Sequence, residues 1–253
     1  MAMKQFLFFI ATFICIAPLC AEMSPNDISY YTEDYPPYNF KQNGKASGFS
    51  TEILMKMLET LNVKKNVEDI SVVPWARGYN DVQRKRNVCL FAMTKTSERV
   101  EKHGFRWVGP ICATNSVLFA TKKKKIKINT LADIFKHRVC AIREDVAEQT
   151  LVSLGYSFDN VDRTSHPVSI IKKILSDRCS LWAYGRIAGQ WVLKQNNYNP
   201  EDFEIVFNLS EKQYLYYAFN KNTPDSVVIP LQNAFDKLKA DGVVDQIISK
   251  YLK

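Results

Sequence analysis

Along the chain, short and nearly continuous apolar runs take turns with longer stretches whose apolar residues recur every three or four positions. The first kind fits buried strands and the second fits amphipathic helices. ISYYTED (28–34), DISVVPW (69–75) and NVCLFAM (87–93) are predicted strands. Between the first two, GFSTEILMKMLETLNV (48–63) puts Ile53, Leu54, Met57, Leu58 and Leu61 on one helical face, with Ser50 or Thr51 available as N-cap. The run is β-α-β-α-β, the pattern of a parallel α/β sheet.

The pattern then restarts. RVCAI (138–142) is a predicted strand, and DVAEQTLVSLG (145–155) a helix with Asp145 as N-cap, Glu148 three residues on and Gly155 as its stop. NVDRT (160–164) is a short strand, HPVSIIKKIL (166–175) a helix with Pro167 in its first turn, and CSLWAY (179–184) the next strand. Two passes imply two similar lobes, with SVLFATKK (116–123) crossing from one to the other. EIVFNL (204–209) and YLYYAFN (214–220) are β-like, and residues 223–252 are helical with a break at Asp241-Gly242. A tail that returns to the first lobe makes a second crossover and so a hinge. The expected lobes are 22–113 with 212–253, and 114–211. Open α/β sheets bind ligands beyond the carboxyl ends of their strands, here between the lobes.

The N-terminus changes the setting. Lys4 precedes FLFFIATFICIAPLCA, which predicts a signal peptide over residues 1–21 with cleavage after Ala21 and export to the periplasm. The apolar block falls short of the roughly 20 residues of a spanning helix, and Leu19 stands where a lipoprotein signal needs a small residue before Cys20. Apolar residues at 46% and charged residues at 24% are ordinary globular values. The net charge of +8 is spread along the chain, apart from KKKK at 122–125 and RKR at 84–86. That spread argues against a nucleic-acid partner and for solvated turns or attraction to an anionic membrane surface.

Export also decides how the cysteines read. Cys89, Cys112, Cys140 and Cys179 remain after cleavage, an even number in an oxidising compartment, so two disulfides are expected. Cys140 and Cys179 begin strands that neighbour each other in a β2-β1-β3 order; Cys89–Cys112 is the second expected pair. No C-x-x-C or H-x-x-x-H spacing points to a metal, and no cofactor is implied. The absence of G-x-S-x-G, H-E-x-x-H and a phosphate-binding glycine loop speaks against hydrolase, zinc-peptidase and nucleotide chemistry.

LFAMTKTSERVEKHGF (90–105) carries the sharpest chemical signal. A strand ends in hydroxyls and runs into Arg99 at the start of a short helix, a device suited to holding an anion. TEDYPPYNF (32–40) followed by GKASGFSTEIL, then MTKTSER (93–99) followed by F-x-W-V-G-P, resembles bacterial extracellular solute-binding proteins of family 3, the periplasmic receptors of polar amino-acid ABC transporters. DRCSLWAYGR (177–186) sits where that family usually has Gly-Arg-x-Asp, and LKADGVVDQIISKYL (238–252) is similar to its closing helix. The resemblance covers the whole chain after the signal, in order.

It implies a two-lobed α/β fold of the type II periplasmic-binding-protein kind, each lobe a mainly parallel sheet flanked by helices. It also implies a monomer that closes on a small carboxylate-bearing ligand and a membrane permease as partner. Arg99 falls on the arginine that grips the ligand's carboxylate, which a guanidinium matches bidentately. Thr94 and the backbone around Met93 fall where hydrogen bonds reach the same group. The helix opening at Asp145 and Val146 would aim its N–H groups at the cleft. Tyr35 and Trp75 fall on the aromatic positions that sandwich the ligand, with Tyr184 a further candidate.

The departures weigh as much. AYGRIAG (183–189) offers Tyr184 and Gly185 where the family places an aspartate for the α-ammonium, Ser180 replaces the strand motif's Asp, and Glu144-Asp145-Val146 replaces a Gly-Ser-Thr helix start. Either Glu33, Asp34 or Glu144 substitutes for the missing carboxylate, or the ligand is not a standard α-amino acid. The expected function is solute binding rather than catalysis. The alternatives are an enzyme on this scaffold, as in cyclohexadienyl dehydratases, and a protein that presents ligand to a separate receptor.

Overall fold

The computed structural model describes residues 22–252, so the predicted signal peptide lies outside the described residues. The first sheet is opened by β1 (Ser29–Thr32), β4 (Ser71–Val72) and β5 (Val88–Thr94), which pair in parallel with β1 in the middle. Between them lie the small hairpin β2 (Phe40–Gln42) and β3 (Lys45–Ser47), and helices α1 (Phe49–Thr60) and α2 (Trp75–Arg84). After β5, α3 (Ser97–His103) leads into β6 (Arg106–Thr114).

The chain then leaves this sheet. β7 (Ser116–Thr121), α4 (Leu131–Ile134), β8 (Val139–Ile142), α5 (Val146–Ser153), β9 (Val161–Thr164), α6 (Pro167–Leu175), β10 (Leu181–Gly185), α7 (Arg186–Gln195) and β11 (Phe203–Asn208) build the second lobe. β12 (Gln213–Phe219) returns to the first sheet, and α8 (Asp225–Ala240) and α9 (Val243–Leu252) come after it. The strand orders are β4-β1-β5-β12-β6 and β11-β7-β10-β8-β9. Each sheet is therefore mixed: three neighbouring strands pair in parallel, the crossover strand, β12 or β7, is antiparallel to both its neighbours, and the strand beyond it runs with the first three. The result is the two-lobed fold with two crossovers. Among the described residues no helix is long and apolar enough to cross a membrane.

β5, β7, β8 and β10 are buried along their whole length, which is why they read as unbroken apolar runs. α1 buries Ile53, Leu54, Met57 and Leu58 as its spacing requires, but its N-cap is Gly48, with Ser50 and Thr51 inside the helix. A Cβ at Gly48 would meet the Tyr38 carbonyl oxygen at 2.6 Å, and its φ of 102° suits glycine. The predicted strand 69–75 shrinks to Ser71–Val72, because Pro74 turns the chain into α2 and makes Trp75 that helix's first residue. Asp145, Pro167 and Gly242 cap, open and break their helices as predicted.

Cys140 and Cys179 are bonded, with Cα atoms 5.9 Å apart. The second expected bridge does not form, and among the described residues Cys89 and Cys112 are free thiols. β12 lies between their strands, with Cys89 opposite Phe219 and Cys112 opposite Leu215. Two strand spacings and a four-residue offset separate them by about 17 Å, far beyond disulfide reach. The chain from Glu22 is therefore expected to show two free thiols after unfolding without reductant. Replacing Cys140 and Cys179 by serine is expected to cost about 3–4 kcal/mol for a loop of this length, read by denaturant unfolding.

Candidate ligand-binding site

β5 carries the site to the cleft through a local irregularity. Tyr216 pairs with Met93 and Tyr217 with Phe91, so Ala92 is an extra residue in the strand, with φ 57°. Such a bulge bends the strand and re-aims the residues beyond it. Met93 and Thr94 are both buried there. Thr96 caps α3, its hydroxyl accepting from the Arg99 N–H at 3.2 Å, and this sets where the Arg99 side chain begins.

Arg99 is 1% exposed. Its guanidinium carbon lies 5.2 Å from the ring centroids of both Trp75 and Tyr79, and its Nη1 donates to the Thr94 carbonyl at 2.9 Å. Nε and Nη2, which together form one edge of the planar fork, have no partner among the described residues. Burial lowers its proton affinity; Tyr79, Asp145 and Glu33 raise it. A guanidinium does not deprotonate in proteins, so the cleft holds a fixed positive charge with unmet donors.

Tyr35 follows β1 in a tight loop in which its N–H donates to the Asn39 carbonyl at 2.7 Å and Asn39 Nδ2 donates to the Glu33 carbonyl at 2.9 Å. Its ring stacks on Tyr38 and meets Tyr184 edge-on at 5.3 Å, across the two lobes. The Tyr35 hydroxyl lies against Gly185, where an added Cβ would come within 2.0 Å of it. The lobes also meet where the Trp75 indole N–H donates to the Glu144 carbonyl at 2.7 Å. Glu144, at φ 62°, is held by Glu148, which accepts its backbone N–H at 2.7 Å, and by Arg163, which binds both carboxylates. A depression of about 450 Å³ between α3 and α5 marks the outer edge of this contact, with Glu98 and Lys102 on one side and Glu144 and Glu148 on the other.

The structure thus brings Arg99, Thr94, Trp75, Tyr35, Asp145 and Tyr184 to one interlobe region. Met93 lies buried within the sheet, paired with Tyr216, and Val146 is buried in the first turn of α5. The Asp145 carboxylate accepts from the Ala147 N–H at 3.3 Å, so one first-turn donor of α5 is taken by the helix's own cap and a buried carboxyl group stands beside the rest. Of the three acids considered for the missing aspartate, Glu33 is buried in the cleft. Asp34 is exposed and accepts from the Lys41 N–H, and Glu144 pairs with Arg163. Sequence reading passed over Asp145 as an acid, because its N-cap role was sufficient explanation. It also missed Tyr79, although a second aromatic four residues after Trp75 stands on the same helical face.

A family model for "bacterial extracellular solute-binding proteins, family 3" matches residues 29–253. No curated relative matches the chain. Among solved structures, a histidine kinase sensor domain with similarity to periplasmic binding proteins superposes with a TM-score of 0.77 at 18% identity, covering 89% of this chain and 96% of that one. The arginine-, lysine-, histidine-binding protein ArtJ from Geobacillus stearothermophilus gives 0.76 at 14%, covering 89% and 95%. A solute receptor for L-cysteine of Neisseria gonorrhoeae gives 0.74 at 18%, covering 89% and 90%. At these identities the likeness is one of fold.

Burial, then Asp145 and Asp34, push the Glu33 carboxyl well above its ordinary value, while Arg99 pulls it down. The folded state therefore keeps a proton that the unfolded chain has released. Stability from this source is complete below a pH of 4.5, the carboxyl's ordinary value, and is lost as pH rises through the folded value. Glu33→Gln is expected to stabilise the unliganded protein at pH 8 by at least about 1 kcal/mol, or 2–4 °C in Tm, and to leave it unchanged near pH 4. Thermal unfolding of both proteins across that range reads the difference.

Proposed function

The chain belongs to the bacterial extracellular solute-binding proteins of family 3, and from that premise we propose that it captures a small carboxylate-bearing solute, an amino acid or a relative of one, between its lobes. On this reading it is a monomer exported to the periplasm. It binds without chemical turnover and hands the solute to an ABC transporter permease. Residues 22–113 with 212–253 move as one lobe and 114–211 as the other, about the crossovers between β6 and β7 and between β11 and β12.

One observation carries the reading: Arg99 is buried against two aromatic rings, with Nε and Nη2 unpartnered among the described residues. Two parallel N–H groups on a rigid plane match the two oxygens of a carboxylate, and in a dry site such a pair is strong and directional. Ligand contacts from both lobes favour the closed arrangement, which a permease can distinguish from the open one.

Thermal unfolding of residues 22–253 against amino acids and small carboxylates tests this. A ligand at 100 times its Kd is expected to stabilise by about 2.7 kcal/mol. Arg99→Ala is expected to abolish the shift, and Arg99→Lys to recover little of it, since an ammonium has no fork. A shift that persists in Arg99→Ala contradicts the assignment. Gly185→Ala, by crowding the Tyr35 hydroxyl, is expected to weaken binding by about tenfold or more, a cost of about 1.4 kcal/mol. It should leave the Tm of the unliganded protein within about 1 °C. Calorimetric titration with the ligand found in the screen measures the first, and a melt without ligand the second.

A further inference from the structure

The end of the second lobe that faces away from the cleft is strongly basic. Strand register locates that end. Thr121 at the end of β7 pairs with Phe203 at the start of β11, and β10, β8 and β9 start level at Leu181, Val139 and Val161. The residues just outside these strand ends therefore stand in one row, with Lys122 after β7, Arg138 before β8 and Asp202 before β11. The opposite ends of β8 and β10 lead to Asp145 and Gly185, at the cleft.

One continuous segment fills much of this row. Residues 122–138 hold six lysines and Arg138 against a single acid, Asp133. With residues 159–162, 172–178 and 199–202, which meet the same end, the count is ten basic against six acidic, or +4 of the chain's net +8. Most of the acids are already engaged. Asp162 takes Lys173, Arg138 and Arg178, while Asp177 takes Lys124 at 2.9 Å and Glu201 takes Lys122 at 3.4 Å. Lys123, Lys125, Lys127 and Lys172 are exposed and have no ion-pair partner among the described residues. Ile126 packs on the lobe's core and Ile128 is buried in it, which fixes the stretch that carries Lys125 and Lys127.

Large apolar side chains stand exposed among these cations. Leu175 lines a depression of about 530 Å³ together with Lys122, Lys123 and Lys124. Phe135 lines another with Lys136 and Arg138. We propose that this end of the second lobe docks on an anionic lipid bilayer, its free lysines on headgroup phosphates and Phe135 and Leu175 at the acyl boundary. Lysine ammoniums are flexible point charges, suited to a loose lattice of phosphates more than to one fixed anion. Apolar side chains between them gain from a bilayer and gain nothing from a dissolved polyanion. Near an anionic surface each cation counts about fivefold in partition, and four free ones act together. The cleft lies at the other end of the same strands, so docking leaves it accessible. The proposal holds whether or not Arg99 takes a carboxylate.

Co-sedimentation of the chain from Glu22 with phosphatidylcholine vesicles, with and without phosphatidylglycerol, tests it. Partition into the anionic vesicles is expected to be about 100-fold stronger at low ionic strength and to fall to the neutral level in about 1 M salt. Lys123→Glu, Lys125→Glu and Lys127→Glu together should weaken it by about 30-fold or more. Lys64→Glu, Lys221→Glu and Lys239→Glu, the same charge change at exposed first-lobe lysines, should weaken it by no more than about threefold. Phe135→Ser with Leu175→Ser should weaken it by about tenfold. Melting curves of the variants confirm that each is folded. Equal losses in the two lysine variants would mean that net charge alone attracts the protein, and an absent preference for anionic vesicles would mean a merely solvated surface. Either result overturns the proposal. So does unchanged partition of the serine variant, or heparin retention that falls with the three lysines while vesicle binding does not, which would assign the surface to a dissolved polyanion.

Discussion

A guanidinium held out of water with part of its fork unmet is expensive, and the arrangement of this cleft depends on how Arg99 is kept there. Trp75 and Tyr79 offer their rings to it, and the Thr94 carbonyl takes one N–H. The remaining edge has no partner among the described residues. Neighbouring features serve this placement. The bulge at Ala92 turns the end of β5, Thr96 fixes the start of α3, and Pro74 starts α2 so that Trp75 stands at the cleft. A non-glycine residue at positive φ costs on the order of 1 kcal/mol or more, and Ala92 is retained where the strand must bend.

The second lobe meets the first at specific points. Glu144, also at positive φ, offers its carbonyl to the Trp75 indole, while Glu148 and Arg163 hold it in that conformation. Gly185 admits the Tyr35 hydroxyl where any side chain would collide.

Much of the fold was legible because its elements announce themselves by period. The fully buried strands β5, β7, β8 and β10 have no polar face to blur the run, and the caps at Asp145, Pro167 and Gly242 are local chemistry. Strand 69–75 misled because Val72, Val73 and Trp75 keep an apolar pattern through a proline-started helix. Cys89 and Cys112 misled because an even cysteine count says nothing of the strand that runs between them. At the site, Arg99 was legible from hydroxyls and a helix start in sequence. Asp145 as a buried acid was not, because its burial arises from the meeting of two lobes and no local pattern records that. The bulge at Ala92 carries no glycine and leaves no trace in the sequence.

The central claim is that the open edge of the Arg99 guanidinium receives the ligand's carboxylate. It is tested most directly by the Nε–H resonance of that arginine in the 15N-labelled chain, assigned by its loss in Arg99→Lys. On addition of a ligand that raises the melting temperature, the signal is predicted to move downfield and to exchange more slowly with water, as for a hydrogen bond to an ionised carboxylate. A protein that binds its ligand with this resonance unmoved would contradict the account.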